Sequence, residues 1–431
     1  MIKLTAIADD LTGANDTALQ FAKRHISSSV LLNLDNLSSL NSEVMVIDSD
    51  SRDLDVEDAY SRVQEICQQV KDYEAECVYK KIDSTLRGNW GAEIRALDDA
   101  LKPELVVIAP AYPVNHRITI GGYHLLDGKP LELTEIGHSP KTPVRESYIP
   151  ELIRQQVPDS CCAVVDYKTI RQGRMAVQQL IDRSMDEGRH WIICDIVEND
   201  NFQVLLDALK GRRRILWVGS AGLADYMADF YGWQGSSPRV ARGRPGPVVI
   251  CAGSVSKVTR QQIATLQDEK KIATLHLDVE HLLTDSDSVK EYIWDLRDLV
   301  EQGQDVLLMS TKDDSDVERA VKTGERFGLT GKEVSERIAA IIAAIIKGQD
   351  FKKIAGMVLT GGDIAVHVCK AMDVDRINVI AEVEPGIPLG YLQGEDIERL
   401  LVATKAGAFG SENALINALD MIHASGEVTK Q

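Results

Sequence analysis

The chain has 431 residues, 44% of them hydrophobic, which suits two or three packed domains and argues against wholesale disorder. Its 48 Lys and Arg against 66 Asp and Glu leave a formal net charge of −18, which repels a polyphosphate backbone and disfavours nucleic acid as a partner. The densest basic strings, GRRR from Gly211 and RVARGR from Arg239, are short and read as solvated surface. The seven cysteines are odd in number and form no CxxC, so reduced thiols and a cytoplasmic location are expected. No apolar run approaches the roughly 18 residues of a bilayer span, and Met1-Ile-Lys leads straight into a strand, so neither a membrane segment nor a signal peptide is expected. The histidines show no metal-binding spacing.

In chain order, apolar runs predict strands at 4–8, 29–32, 44–47, 77–80, 105–109, 163–165, 191–194 and 215–218, and periodicity predicts helices over 13–24, 56–70, 90–101, 168–181, 200–209 and 221–230. Uniformly apolar strands between amphipathic helices indicate βαβ units and parallel pairing. The stretch Ala109–Ser147 has five prolines and little regular pattern, and reads as a long functional loop. Gly, Pro, Ser and Arg then break the rhythm from Tyr231 to Pro247, as a linker would. A second series follows, with strands predicted at 248–251, 274–277, 306–309, 354–359, 377–381 and 401–404, and a long apolar helix over 336–348. The predicted fold class is α/β: two α/β domains (1–235 and 248–431, with 236–247 as linker), each with a mostly parallel sheet, and an active-site cleft between them.

In open parallel sheets ligands bind beyond the carboxyl ends of strands. In IADDLTGANDTALQ, from Ile7, Asp9 and Asp10 end the first strand. A helix N-cap, worth about 1 kcal/mol, explains one carboxylate and not two. Two close carboxylates raise one pKa and attract a cation or a hydroxyl proton, which suits a general base or a magnesium site. In VIDSDSRDL, from Val46, Arg52 is placed either to fork an anion or to pair with a nearby Asp. In YKKIDSTLRGNWGAEI, from Tyr79, Lys80, Lys81, Asp83, Ser84, Thr85 and Arg87 gather just before a helix start. Carboxylates with Lys and Arg match a small polyhydroxy acid: cations for its carboxylate, Asp and Ser for its hydroxyls.

The second half repeats a different junction, strand to Gly/Ser to helix. CAGSVSKVT carries Ser254, VLTGGDIA carries Thr360, Gly361, Gly362 and Asp363, and ATKAGAFGSEN carries Lys405, Gly407 and Gly410. Such turns aim main-chain N–H groups at phosphates. Neither a Walker loop nor a GxGxxG is present.

ADDLTGANDTA, KKIDSTLRGN, GSAGLA, GSVS, LTGGD, EPGIPLG and TKAGAFG occur in this order over nearly the whole chain. Together they resemble the four-carbon acid sugar kinase family. The resemblance implies an acid-sugar-binding N-terminal domain, an ATP-binding C-terminal domain, and phosphorylation of the terminal hydroxyl of D-threonate, D-erythronate or a 3-oxo-tetronate. The IDSTLRGN form and Asn15 are more similar to the threonate kinases. Carried over, Asp10, Arg52, Lys81, Asp83 and Ser84 look like the acid-sugar site, with Asp9, Asn15, Thr85 and Arg87 beside them. Ser254, Thr360, Gly361, Gly362, Asp363 and Gly407 look like the ATP site. Where the family carries Asp-Pro after the long loop, this chain reads GHSPKTPV, which puts any Asp role there in doubt. The expected base is Asp10, with Asp83 as the alternative. Mg2+ is expected with ATP, its ligands unassigned, and a homodimer is allowed for. A non-catalytic acid-sugar sensor and an ATP-dependent ligase are the rival readings.

Overall fold

The computed structural model describes residues 2–139, 141–235, 242–253, 256–395 and 397–427. It divides into two compact units: Met1–Ile26 with Leu40–Ser236, and Ser27–Ser39 with Ser237–Gln431.

The first unit opens with β1 (Ile2–Ala8) and α1 (Leu11–Ala22), while β2 (Ser28–Leu31) belongs to the second. There follow β3 (Val44–Asp48), α2 (Val56–Val70), β4 (Ala75–Lys81), α3 (Trp90–Leu101) and β5 (Leu105–Ala109). The short strands β6 (Arg117–Ile120), β7 (Tyr123–Leu126) and β8 (Lys129–Pro130) come next, then α4 (Ile149–Gln156) and β9 (Cys162–Val165). The unit closes with α5 (Tyr167–Arg171), α6 (Arg174–Asp186), β10 (Trp191–Cys194), α7 (Asp200–Leu209), β11 (Ile215–Gly219) and α8 (Ala221–Tyr231).

Its parallel strands lie in the order β3-β1-β4-β11-β5-β10-β9. β5, β10 and β11 are buried throughout, as strands covered by helices on both faces must be, and this explains their unbroken apolar sequences. Phe21, Tyr79, Trp90, Phe202 and Trp217 are its bulkiest fully buried aromatics.

Two expectations change here. The helix predicted over 168–181 is two helices, α5 and α6, because Gly173 takes a left-handed φ of 90° between them. The stretch from Ala109 is less irregular than its prolines suggest, since β6, β7 and β8 pair antiparallel into a small sheet.

The second unit contains β12 (Val248–Ala252), α9 (Lys257–Glu269), β13 (Ala273–His276), α10 (Val279–Thr284), α11 (Val289–Glu301) and β14 (Val306–Met309). It continues with α12 (Asp314–Arg326), α13 (Gly331–Lys347), β15 (Gly356–Thr360) and α14 (Gly362–Ala371). The last elements are β16 (Val374–Glu384), β17 (Ile387–Gly394), β18 (Glu398–Lys405) and α15 (Ala414–Glu427). The sheet order is β13-β14-β12-β15-β18-β17-β16-β2. β13 to β18 in that order are parallel, and β17, β16 and β2 extend them antiparallel. Val248, Ile250, Leu307, Val358, Leu401 and Leu419 belong to its continuous apolar core. Among the described residues no helix is long and apolar enough to cross a membrane. All seven cysteines are free thiols.

Candidate active site

In the first unit the chain leaves β1 for β3 on one side and returns to β4 on the other. The three carboxyl ends therefore open on a topological switch point, where such sheets leave a crevice. Ala8 pairs with Asp48 of β3 and with Lys81 of β4, so the residues that follow each strand meet. Backbone bonds lock them: Ser49 N donates to Ala8 O at 2.9 Å, and Ser51 N to Asp9 O at 3.0 Å.

Arg52 resolves the crowding of like charges. Its Nε and Nη2 donate to the two oxygens of Asp9 at 2.8 and 2.9 Å, and its Nη1 and Nη2 donate to the two oxygens of Asp10, both at 2.7 Å. One guanidinium thus holds two carboxylates, the fork geometry that Arg alone supplies. Of the two expected placements for Arg52, the structure shows the pairing with nearby Asp.

The two carboxylates differ. The Asp9 side chain is 1% exposed and that of Asp10 is 24% exposed. Burial pushes Asp9 up, but Arg52, Lys80 and Lys81 pull it below the ordinary carboxylate range. Burial pushes Asp10 up as well; Arg52 opposes it, the Asp9 charge adds to it, and the balance stays above the ordinary value. Asp10 also caps α1, with Oδ1 accepting from Gly13 N at 2.8 Å. A Cβ on Gly13 would lie 2.7 Å from both Asp10 Oδ1 and Lys81 Nζ, so glycine is what lets that ammonium approach. Lys81 is 4% exposed.

After β4 the chain turns through Asp83–Arg87. Asp83 accepts from Thr85 Oγ1, from Arg87 Nε at 2.6 Å and from Arg87 Nη2 at 3.2 Å. Burial raises its pKa, yet Arg87 and Arg52 together hold it well below the carboxylate range. Leu86 takes a left-handed φ of 60° in this turn and Gly88 one of 88°. His124 on β7 braces the turn: its Nε2 donates to Ser84 O at 2.9 Å, and its Nδ1 lies 3.0 Å from Thr119 Oγ1. Because Ser84 O can only accept, the neutral ring carries its proton on Nε2 and accepts at Nδ1.

Burial pulls the His124 imidazole down to about 4, whereas an unfolded histidine titrates near 6.5. The folded chain is thus fully favoured above pH 6.5 and loses about 3 kcal/mol as pH falls from 6.5 towards 4. Urea midpoints measured across that window should fall accordingly, and the fall should be shallower in His124→Gln. Equal slopes for the two proteins would refute the assignment.

Beneath the site, Lys80 and Glu93 form an ion pair at 2.7 Å with both side chains fully buried. Lys80 Nζ also donates to Ile7 O at 3.2 Å. Ser51 Oγ donates to Glu93 Oε1, and Ser49 Oγ lies 2.7 Å from Ser51 Oγ. This network fixes the segment that carries Arg52.

The second unit has its own switch point between β12 and β15. Ala252, Thr360 and Lys405 align across the adjacent ends of β12, β15 and β18, which brings together three junctions that lie far apart in sequence. Thr360 is fully buried, and its Oγ1 has no hydrogen-bond partner among the described residues. Gly361 has a φ of 98°, and a Cβ there would meet open space. Its N–H donates to Lys405 O at 2.8 Å, while Gly362 and Asp363 open α14. The loop after β18 coils around a buried ammonium. Lys405 Nζ donates to Thr259 Oγ1 and to the carbonyls of Ala406, Gly407 and Phe409 at 3.0–3.2 Å. Burial pulls Lys405 down to about 8. The Gly407 carbonyl therefore faces inward. Ser254 lies outside the described residues.

Residues 4–227 match the model of a sugar-binding N-terminal domain, and residues 249–415 that of a nucleotide-binding C-terminal domain. A D-threonate kinase of Salmonella typhimurium is 32% identical, covering 97% of this chain and 98% of that protein. The chain belongs to the four-carbon acid sugar kinase family.

Other relatives of this acid sugar kinase are a D-erythronate kinase of Heliobacterium modesticaldum, 28% identical over 98% of this chain and 97% of that one, and a 3-oxo-tetronate kinase of Pectobacterium atrosepticum, 27% identical over 97% and 99%. The fold recurs in a solved Salmonella typhimurium protein (TM-score 0.84, 23% identity, 97% of this chain and 99% of that chain) and in one from Haemophilus influenzae (TM-score 0.76, 24% identity, 97% and 100%).

Asp9, Asp10, Arg52, Lys81, Asp83, Ser84, Thr85 and Arg87 of the acid sugar kinase gather at one switch point. Asn15 lies buried in α1, one turn beyond the Asp10 cap. Thr360, Gly361, Gly362, Asp363 and Gly407 gather at the other. Sequence reasoning missed Glu93, whose signal is an acid on the apolar face of α3, three residues after Trp90. It also missed the supporting roles of Lys80 and Lys405, cations at the ends of otherwise apolar strands. Ser310 and Thr311, buried directly after β14, form a further polar junction of the same kind.

Proposed function

We propose that the chain transfers the γ-phosphoryl group of ATP to the C4 hydroxyl of a four-carbon acid sugar, with D-threonate the first candidate. The observation that carries the reading is the split between two adjacent carboxylates sharing one guanidinium. Asp9 is sealed and stays an anion. Asp10 reaches the surface with a raised pKa and a lone pair on Oδ2 left by the Arg52 contacts, which suits a base that takes the proton of the attacking hydroxyl. Asp83 is a poor base, because its proton affinity is suppressed and Arg87 occupies it. Lys81 supplies positive charge beside Asp10. The 32% identity to a D-threonate kinase supports D-threonate; D-erythronate and 3-oxo-tetronates are the alternatives.

The second unit fits a triphosphate. The Thr360 hydroxyl, without a hydrogen-bond partner among the described residues, the open space over Gly361 and the start of α14 converge where a helix favours anions. ATP supplies the phosphoryl group there. Among the described residues no cluster of three or more His, Cys, Asp or Glu could hold a metal, so magnesium is proposed only as a companion of the phosphates, which is how it commonly binds. Transfer requires acceptor and donor to meet with water excluded.

Gly361→Val should abolish ATP binding in calorimetry, because φ near 98° strains a β-branched residue and its side chain would fill the open space. Acid-sugar binding should persist, and retained ATP affinity would exclude this site. The reading as a whole is tested by coupled ADP release with D-threonate, L-threonate, D-erythronate and the 3-oxo acids. Acid-dependent ADP formation is expected with at least one. Binding without turnover would indicate a sensor, and AMP would indicate a ligase.

A further inference from the structure

We infer that Arg117, the first residue of β6, recognises the carboxylate of the acid sugar; this rests on the reading above and names the part of that site that selects acids over neutral polyols. Side chains alternate along a strand, so Arg117 and Thr119 share one face of the small sheet. His124 lies opposite Thr119 in the β6–β7 register and belongs to the same face. Thr119 and His124 are fully buried and reach the Asp83–Arg87 turn through Ser84 O. The Arg117 side chain therefore projects on the face that carries the turn.

The guanidinium there is underused. Nη1 donates to Asn115 O, and among the described residues Nε is buried without a hydrogen bond and Arg117 forms no ion pair. Burial lowers its proton affinity most; among charged groups Asp83 acts on it most strongly, followed by Asp127, Arg87 and Glu135. Asp83 is already taken by Arg87, and Asp127 and Glu135 are exposed to water. A buried guanidinium donor without an acceptor is costly, and an incoming carboxylate removes that cost.

Charge matching points the same way. Lys81, Arg52 and Arg87 are equalled in number by Asp9, Asp10 and Asp83, and Lys80 is cancelled by Glu93. Burial, with Asp50 and Asp10 beside it, pushes the Asp48 carboxyl well above the usual range. Arg117 forms no ion pair among the described residues, so it offers the cluster a cation for a monoanion. Arg52 is locked to two aspartates.

The test compares the acid sugar turned over by the wild type with the matching neutral alditol, in wild type, Arg117→Gln, Arg117→Lys and Arg117→Ala. Arg117→Gln should raise KM for the acid sugar about 10- to 100-fold, the range of a lost charge-assisted contact, with KM for ATP and the alditol rate unchanged. Added guanidinium should restore part of the loss in Arg117→Ala, which a packing role would not allow. Arg117→Lys keeps the charge without the fork, so its KM should exceed twice the wild-type value and stay below that of Arg117→Gln. An acid-sugar KM within twofold of wild type in Arg117→Gln or, failing its folding, in Arg117→Lys, overturns the inference. A wild type that phosphorylates no acid sugar overturns instead the function on which it rests.

Discussion

Asp10→Asn is expected to lower kcat roughly 10²–10⁴-fold, the usual contribution of a positioned general base, while KM for the acid sugar changes little. The amide keeps the shape of the carboxylate, and its carbonyl can still accept from Gly13 N, the bond that caps α1. Arg52 retains Asp9, so the charge left behind is compensated. What disappears is the lone pair that can take a proton. Burial and the neighbouring Asp9 charge raise the Asp10 pKa despite Arg52, so Asp10 is protonated below that raised value and serves as base above it. The acid limb of kcat/KM should therefore lie above the ordinary carboxylate range and vanish in the variant. Asp83→Asn should preserve that limb. Turnover of Asp10→Asn within tenfold of wild type, with an unchanged thermal midpoint, would remove Asp10 from the role.

Glu93→Ala should cost the first unit about 3–5 kcal/mol, the range for breaking a buried ion pair from one side. Lys80 would be left at a site with no exposure, with Ile7 O as its remaining partner among the described residues, and Ser51 Oγ would lose that acceptor. The double change Lys80→Met with Glu93→Leu removes both charges and should recover much of the loss, since well-packed apolar pairs replace buried ion pairs at little or no cost. Urea unfolding can be followed through Trp90 and Trp217, which are fully buried in this unit. A single variant within 1 kcal/mol of wild type would show that the pair does not support the site.

The layout of the first unit was legible because its signals are local. Apolar β1, β3 and β4 each end in charged residues, and parallel pairing must bring those ends together. The pairing of Arg52 with both aspartates was not legible, because a fork that binds substrate and one that binds Asp9 and Asp10 look alike in sequence. β17 was missed because IPLGYLQG carries a proline and two glycines and reads as a turn; paired on both sides by β16 and β18, it is a strand. Nothing in Ser27–Ser39 marks it for the second unit, since its partner β16 lies more than 300 residues away. The β6–β8 sheet hid behind prolines that sit outside its main hairpin, and Arg117 was hidden with it. In the second unit the glycine junctions stood out, whereas Lys405 did not, because its role depends on carbonyls that only folding brings around it.

Phosphorus NMR of the reaction product tests the central claim most directly. Reaction of a four-carbon sugar acid with ATP should yield ADP and a single phosphate monoester that is stable in acid and coupled to the C4 methylene protons. An acid-labile acyl phosphate, AMP, or an ester at C2 or C3 would contradict the placement of the C4 hydroxyl against Asp10.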